Sequence, residues 1–419
     1  MFSSRSTLAP KRHVATTHRV LAPGETVERV RPLMPMMGIT RIATVTGLDR
    51  IGIPVVMVTR PNSRGLAVSQ GKGADLSAAQ ASGLLESVES YHAERVISPR
   101  ITGCYDELRA RHRIVDVDQL PQATDPAFDP TAVMDWIEGY DALEDEPVLV
   151  PYDVVHIDFR VGRRPTSCLI STSNGLAAGN HLLEAFSHAL CEVVERDAAT
   201  IAHFADDSTR NSLLIDLGTV DDPVCRLVLD RFEDADVAVA AWDITSDIGL
   251  PAFSCLIADD PTRARYRLPI GAGSGCHPSR EIALLRALTE AAQSRLTFIA
   301  GSRDDMPREE YERFAEDESL RRMVLKLSRA GRRDVRETPT FPAETLDDDV
   351  RLELRLLRAA GIERVIVVDL THPMIGIPVT RVVVPSLEGT LHRHNYRLGG
   401  RVAAVLRARL GRALSEPHD

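Results

Sequence analysis

Ser173–Ala198 reads SNGLAAGNHLLEAFSHALCEVVERDA, a glycine-rich approach running into an unbroken helical pattern. Within it Asn180, Glu184, His188, Glu192 and Glu195 are spaced four, four, four and three. Those intervals set them in one stripe along a helix predicted from about His181 to Phe204. Arg196 stands beside the stripe, with Ala185, Ala189, Leu190, Val193 and Val194 around it. A carboxylate row among apolar residues needs a counter-charge, because an unpaired buried carboxylate is costly.

The same order is read on either side. Ile42–Arg60 predicts two β-rich segments around a turn at Gly47–Arg50, followed by a glycine loop at Ser69–Gly73 and a helix from about Ser77 to Val96. On that helix Ser82, Glu86 and Glu89 share a face. Strands are predicted at Val154–Val161 and Ser167–Thr172 before the central helix, and at Val237–Ile244 and Ala252–Ile257 after it. A turn at Gly271–Pro278 then opens a third helix to about Ile299, carrying Arg286, Glu290, Gln293 and Arg295. Arg303–Arg358 is dense in charge and reads as surface helices. Val365–Asp369 and Val379–Val384 read as strands, and Arg401–Leu414 as a closing amphipathic helix. The expected fold is mixed α/β (α+β): β-sheets with long helices, from three strand–glycine turn–helix units. Residues 1–16 are expected to be a flexible segment and 17–419 a single domain, with a core over 17–302 and a helix-and-strand region over 303–419.

Two carboxylate rows suit hard divalent cations, which take oxygen ligands; Mg²⁺ is commonly held by a few carboxylates plus substrate phosphates. Lys72 in Gln70-Gly71-Lys72-Gly73, and Arg286 or Arg295, are candidates to meet phosphate, although no GxxxxGK[ST] loop is present. Ordinary surface salt bridges are the competing reading of each glutamate.

Composition narrows the classes. The 419 residues are 44% hydrophobic and 26% charged, and 50 Lys+Arg against 60 Asp+Glu give a formal charge of −10. That argues against a duplex-coating nucleic-acid binder, which displays a basic field. The 6 cysteines form no CxxC pair and read as buried thiols of a cytoplasmic protein. No apolar run is long enough to span a membrane. No GxSxG elbow occurs, and His277, His372, His392 and His394 read as core or surface histidines.

Taken together, SQGKG (Ser69–Gly73), SGLLESVE (Ser82–Glu89), SNGLAAGN followed by EAFSHALCEVVERDA (Ser173–Ala198), and GSGCHPSREIALLRALTEAAQSR (Gly273–Arg295) resemble the YcaO-domain family, from about Thr17 to Glu388. The resemblance implies a YcaO-type fold around a nucleotide site. It also implies ATP and Mg²⁺ as cofactors, and activation of a backbone amide by phosphorylation of its oxygen. It assigns Glu86 and Glu89 to a first acidic pair. Asn180, Glu184, Glu192, Glu195 and Arg196 form a second Mg-ATP set, with Glu192, Glu195 and Arg196 catalytic. Metal ligation falls to Glu86, Glu89, Glu184, Glu192 and Glu195. Arg19 and Thr26, seven positions apart, fit the family's N-terminal basic residue and hydroxyl, and Arg295 or Arg286 its later phosphate-contacting arginine.

The chain lacks the Pro-rich PxPxP tail of many azoline-forming members. Thr46–Gly73, TGLDRIGIPVVMVTRPNSRGLAVSQGKG, is similar to members that work with a TfuA partner and make thioamides from sulfide or a carried sulfur. The implied substrate is a ribosomally made precursor peptide or a protein segment. Azoline or amidine formation, and a non-catalytic accessory subunit, are the alternatives; a homodimer through the closing helix stays open.

Overall fold

Arg41–Thr44 and Val55–Thr59 pair antiparallel, Arg41 opposite Thr59 and Thr44 opposite Val56, as β-branched residues around the Gly47–Arg50 turn predict. The computed structural model describes residues 8–160, 168–259, 268–303, 308–309, 318–328, 331–389 and 396–413. It adds a third strand, Val68–Lys72, on the far side of Val55–Thr59. The first long helix, Leu76–Ala93, lies across this sheet; its start is capped by the Asp75 side chain, which accepts the Ala78 N–H.

The build recurs at 237–300. Val237–Asp243, Ala252–Asp259 and Gly271–Cys276 form a second antiparallel meander. The third helix, Arg280–Ala300, packs over it, capped by Ser279 at one end and by left-handed Gly301 at the other.

The glycine-rich segments are therefore strands, Val68–Lys72 and Gly271–Cys276, where a loop and a turn were expected. Strand alternation puts Gly271, Gly273 and Gly275 on the face that meets the following helix. A Cβ on Gly273 would sit 2.3 Å from the Ala287 carbonyl oxygen, and one on Gly71 would sit 2.0 Å from that of Ala79. Only glycine lets a helix settle this close to a strand. Gln70–Lys72 thus lies in a ladder beneath a helix and makes no phosphate-cradling loop; Lys72 keeps only its side chain for the site.

A six-stranded antiparallel sheet joins the two units. Arg100–Cys104, Val133–Asp141, Ile366–Asp369, Val379–Val383 and Leu176–Ala178 run in that order, and Glu146–Pro151 also pairs with Val133–Asp141. Residues before and after 303 share this sheet, so the two expected regions are interleaved. The central helix, Leu182–Phe204, packs on Val379–Val383 and meets Gly271–Cys276, while the first long helix meets Leu176–Ala178. All three long helices are thereby brought together.

Other expectations need correction. Val154–Val161 is not a strand: Tyr152–Val154 is a short 3₁₀ turn followed by irregular chain to Arg160, and Val161 lies outside the described residues. Ser167–Thr172 holds one isolated bridge, Leu169 to Gln122, with Ser167 outside. His392 and His394 are outside as well. In the region expected to hold surface helices, Leu346–Ala359 instead buries Leu346, Asp349, Val350, Glu353 and Leu357, and packs on the central helix. Residues 8–16, expected to be loose, are tied down: Ala9 is buried, its N–H donates to Asp347, and the Lys11 N–H donates to the Glu344 carbonyl. No helix among the described residues is long and apolar enough to cross a membrane.

Candidate functional site

The first long helix carries Glu86 and Glu89, the central helix Glu192 and Glu195, and the third helix Glu290. Their charges act on one another across a shared cleft. Glu86 is open to water yet surrounded by protein, as a group in a cleft wall is. Burial lifts its carboxyl to about 7, with Glu290 adding to the lift and Lys72 opposing it. Burial also lifts Glu192 to about 7, with Glu195 and Glu290 adding and Arg196 opposing. Glu89 is held well above the ordinary carboxylate range by burial, reinforced by Glu86 and Glu192, although its Oε1 accepts the Ala178 N–H at 2.7 Å. Glu195 is raised by burial and then by Glu290, and accepts the Ser274 hydroxyl at 2.8 Å. Glu290 goes the other way: burial would raise it, but Lys72 at 2.5 Å and Arg196 hold it below its ordinary value.

Lys72 and Arg196 stand among these five carboxylates, Arg196 3.9 Å from Glu192, while Arg303, Arg19 and Arg381 act on Glu86, Glu89 and Glu192. Arg381, buried behind Glu192, spends its guanidinium on the carbonyls of Val154 and Thr172 at 2.9 and 2.6 Å. Five hard oxygen donors, four of them held above the ordinary carboxylate range, fit divalent cations such as Mg²⁺.

The upper turns of the central helix are differently charged. Arg19 reaches Glu184 at 3.4 Å and acts on Glu89. Arg286, whose Nη1 donates to the Cys276 carbonyl at 3.0 Å, acts on His188 together with Arg19 and Lys72. Burial and these cations hold His188 far below the ordinary imidazole range, so it is neutral. Three cations around the cleft fit the phosphates of a nucleotide. Ser82 is half-buried one turn before Glu86.

Glu184 and Thr26 also carry structural hydrogen bonds. Glu184 is buried, and its oxygens accept the N–H groups of Val20 and Asn180, each at 3.0 Å, so it anchors the chain around Arg19. Thr26 is buried too, accepting Asn180 Nδ2 at 2.8 Å and donating to the Ala22 carbonyl. Arg295 is placed away from the cleft. It is 0% exposed and paired with Asp49 at 2.8 Å and Asp259 at 2.9 Å. Of the two arginines considered for phosphate, Arg286 is the one beside the cleft.

Sequence reading did not single out Glu290, Ser274, Arg381 or Arg29 as site residues; Arg29 donates to the Asn180 carbonyl at 2.8 Å and holds its loop. Glu290 had a signal: it lies four residues after Arg286, one turn along the same face. The others reach the site only through tertiary contact.

Residues 70–388 match the family model described as YcaO cyclodehydratase, ATP- and Mg²⁺-binding. An uncharacterized protein in the tfuA 3′ region of Rhizobium leguminosarum bv. trifolii is 36% identical over 394 residues, 93% of each chain. Among solved structures, a heterocyclase in complex with substrate and cofactor superposes with a TM-score of 0.80 at 22% identity. That likeness covers 99% of this chain and 57% of the heterocyclase. YcaO from Methanopyrus kandleri, bound with AMPPCP and Mg²⁺, gives a TM-score of 0.68 at 24% identity, covering 90% of this chain and 94% of that one. At these identities the two structures are likenesses of fold. The chain belongs to the YcaO family of ATP- and Mg²⁺-binding proteins.

Proposed function

We propose that the protein activates a peptide backbone amide with ATP and Mg²⁺ and replaces the amide oxygen with sulfur, leaving a thioamide. The observation that carries this reading is the convergence of five carboxylates, four of them with raised proton affinity, beside Arg19, Lys72 and Arg286. ATP, when bound with Mg²⁺, supplies the phosphoryl group that makes an amide oxygen a leaving group. Glu86, Glu89, Glu192, Glu195 and Glu290 would hold the cations, and Arg19, Arg286 and Lys72 would orient the phosphates. Ser274 fixes the Glu195 carboxylate, and Arg196 offsets part of the repulsion between Glu192 and Glu195. Neutral His188 stays a hydrogen-bonding group without adding charge. The glutamates are then electrostatic scaffold first and acid/base groups second.

The relative in the tfuA 3′ region supports a TfuA-like partner, and with it the thioamide product implied by the likeness of Thr46–Gly73 to TfuA-associated members. Sulfide or a sulfur carrier would be the donor, and a precursor peptide or protein segment the acceptor. Azoline or amidine formation is the second reading, favoured by the heterocyclase-like fold. Mass spectrometry of the peptide after co-expression with a TfuA-like partner separates them. Exchange of oxygen for sulfur gains the mass difference of the two atoms, whereas cyclodehydration loses one water. Unmodified peptide, with wild type and a Glu192→Gln variant indistinguishable, would defeat both readings and favour an accessory subunit.

A further inference from the structure

His18, His277 and Asp349 come from three separate parts of the chain, and their ligand atoms lie within 4.8 Å of one another. The spacing invites a metal, but the protein already supplies the cation. Lys11 Nζ sits 2.7 and 2.8 Å from the two oxygens of Asp349, with both side chains 1% exposed. His277 Nδ1 accepts the Ser279 N–H at 2.9 Å, which leaves Nε2 as the proton-bearing nitrogen of the neutral ring, not a free lone pair.

We infer that this cluster is a latch: Lys11 and Asp349 are positioning residues that set Arg19 for the nucleotide, an inference that rests on the Mg-nucleotide reading of the cleft. The contacts run in series. The segment before the cleft is fixed to the start of helix Leu346–Ala359 by Ala9 N–H to Asp347 at 2.8 Å, Lys11 N–H to the Glu344 carbonyl and the Pro10–Thr345 bridge. It then folds back on itself: the Arg12 and His13 N–H groups both donate to the Arg19 carbonyl, and the Arg19 N–H donates to the His13 carbonyl, each at 3.0 Å. His18 edges the His277 ring at 4.7 Å, with its Nδ1 3.8 Å from Asp349. One residue on, Arg19 meets Glu184, and Val20 donates to the same carboxylate. The Arg19 backbone is thus fixed from both sides, and Lys11–Asp349 is the buried ion pair at the outer end of that chain.

A buried pair is a costly device for mere attachment, since apolar residues would serve as well or better. It does make position specific, because ammonium and carboxylate must meet in one register. A long arginine held at its backbone loses less freedom when it meets a phosphate, so its pre-setting strengthens binding.

The test is a double-mutant cycle on Mg-AMPPCP affinity, measured by calorimetry on the full chain, with Arg19→Ala, Asp349→Asn and the double variant. Asp349→Asn should weaken binding about tenfold, as Arg19→Ala should, and the double variant should be no weaker than Arg19→Ala alone. Wild-type affinity in Asp349→Asn, or losses that multiply in the double variant, would overturn the latch. If Asp349→Asn does not fold, Lys11→Gln, which keeps a donor to Asp349, enters the same cycle with the same expectation, and Lys11→Arg should restore affinity. Absence of Mg-dependent binding by wild type would overturn the cleft reading and the latch with it; binding by wild type with no loss in the variants would overturn the latch alone.

Discussion

Two clusters of charge stand on opposite faces of the third helix. One joins Arg295 and Arg50 to Asp49 and Asp259, with the Arg295, Asp49 and Asp259 side chains at 0 to 1% exposure and Arg50 at the outer edge, 40% exposed. The other gathers Glu86, Glu89, Glu192, Glu195 and Glu290 around Lys72 and Arg196, open to water at Glu86. The first is paired and sealed around Arg295, which is how a scaffold carries charge. The second holds four carboxylates above their ordinary range and is accessible, which is how a cation-binding site carries charge. Raised proton affinity together with access separates site from scaffold here more sharply than burial does.

The largest effect that could break the comparison is on stability. Arg295→Met removes the buried guanidinium that both Asp49 and Asp259 face, and should cost about 3–5 kcal/mol in denaturant unfolding. A loss below about 1 kcal/mol would mean the sealed cluster is not the scaffold described.

A smaller effect sharpens the other side. Glu86 and Glu192 bind protons up to about 7 in the folded chain, against an ordinary value of 4.5. Between those values the folded chain holds protons that the unfolded chain has released. Without cations, stability should therefore fall as pH rises from about 5 to about 8. Glu192→Gln removes one such group and should flatten that slope. Equal slopes in wild type and variant would show that Glu192 is not held in its uncharged form by the cleft.

How much of this was legible follows from which residues report local geometry. Glu86 and Glu89, and Glu192 and Glu195, announce themselves because a helix turns spacing into a face. On the third helix the same arithmetic separates the arginines: Arg295 lies nine residues past Arg286, half a turn out of phase, and the structure puts it on the sealed side. The glycines misled because Gly271, Gly273 and Gly275 have a turn's composition. Their period of two was the better signal, marking a strand face pressed against a helix. Strands Arg100–Cys104, Val133–Asp141 and Glu146–Pro151 were not anticipated, nor was the buried side of Leu346–Ala359. Ser274 and Arg381 join the site through sheet packing, and Arg29 through a loop carbonyl, none of which leaves a local pattern.

The most direct test of the central claim is Mg²⁺-dependent ATP binding by calorimetry on wild type, Glu86→Gln and Glu192→Gln. The account predicts binding that requires Mg²⁺ and weakens at least about tenfold in each variant, since carboxylates from two helices serve one nucleotide. Equal affinity in all three proteins, or binding indifferent to Mg²⁺, would contradict it.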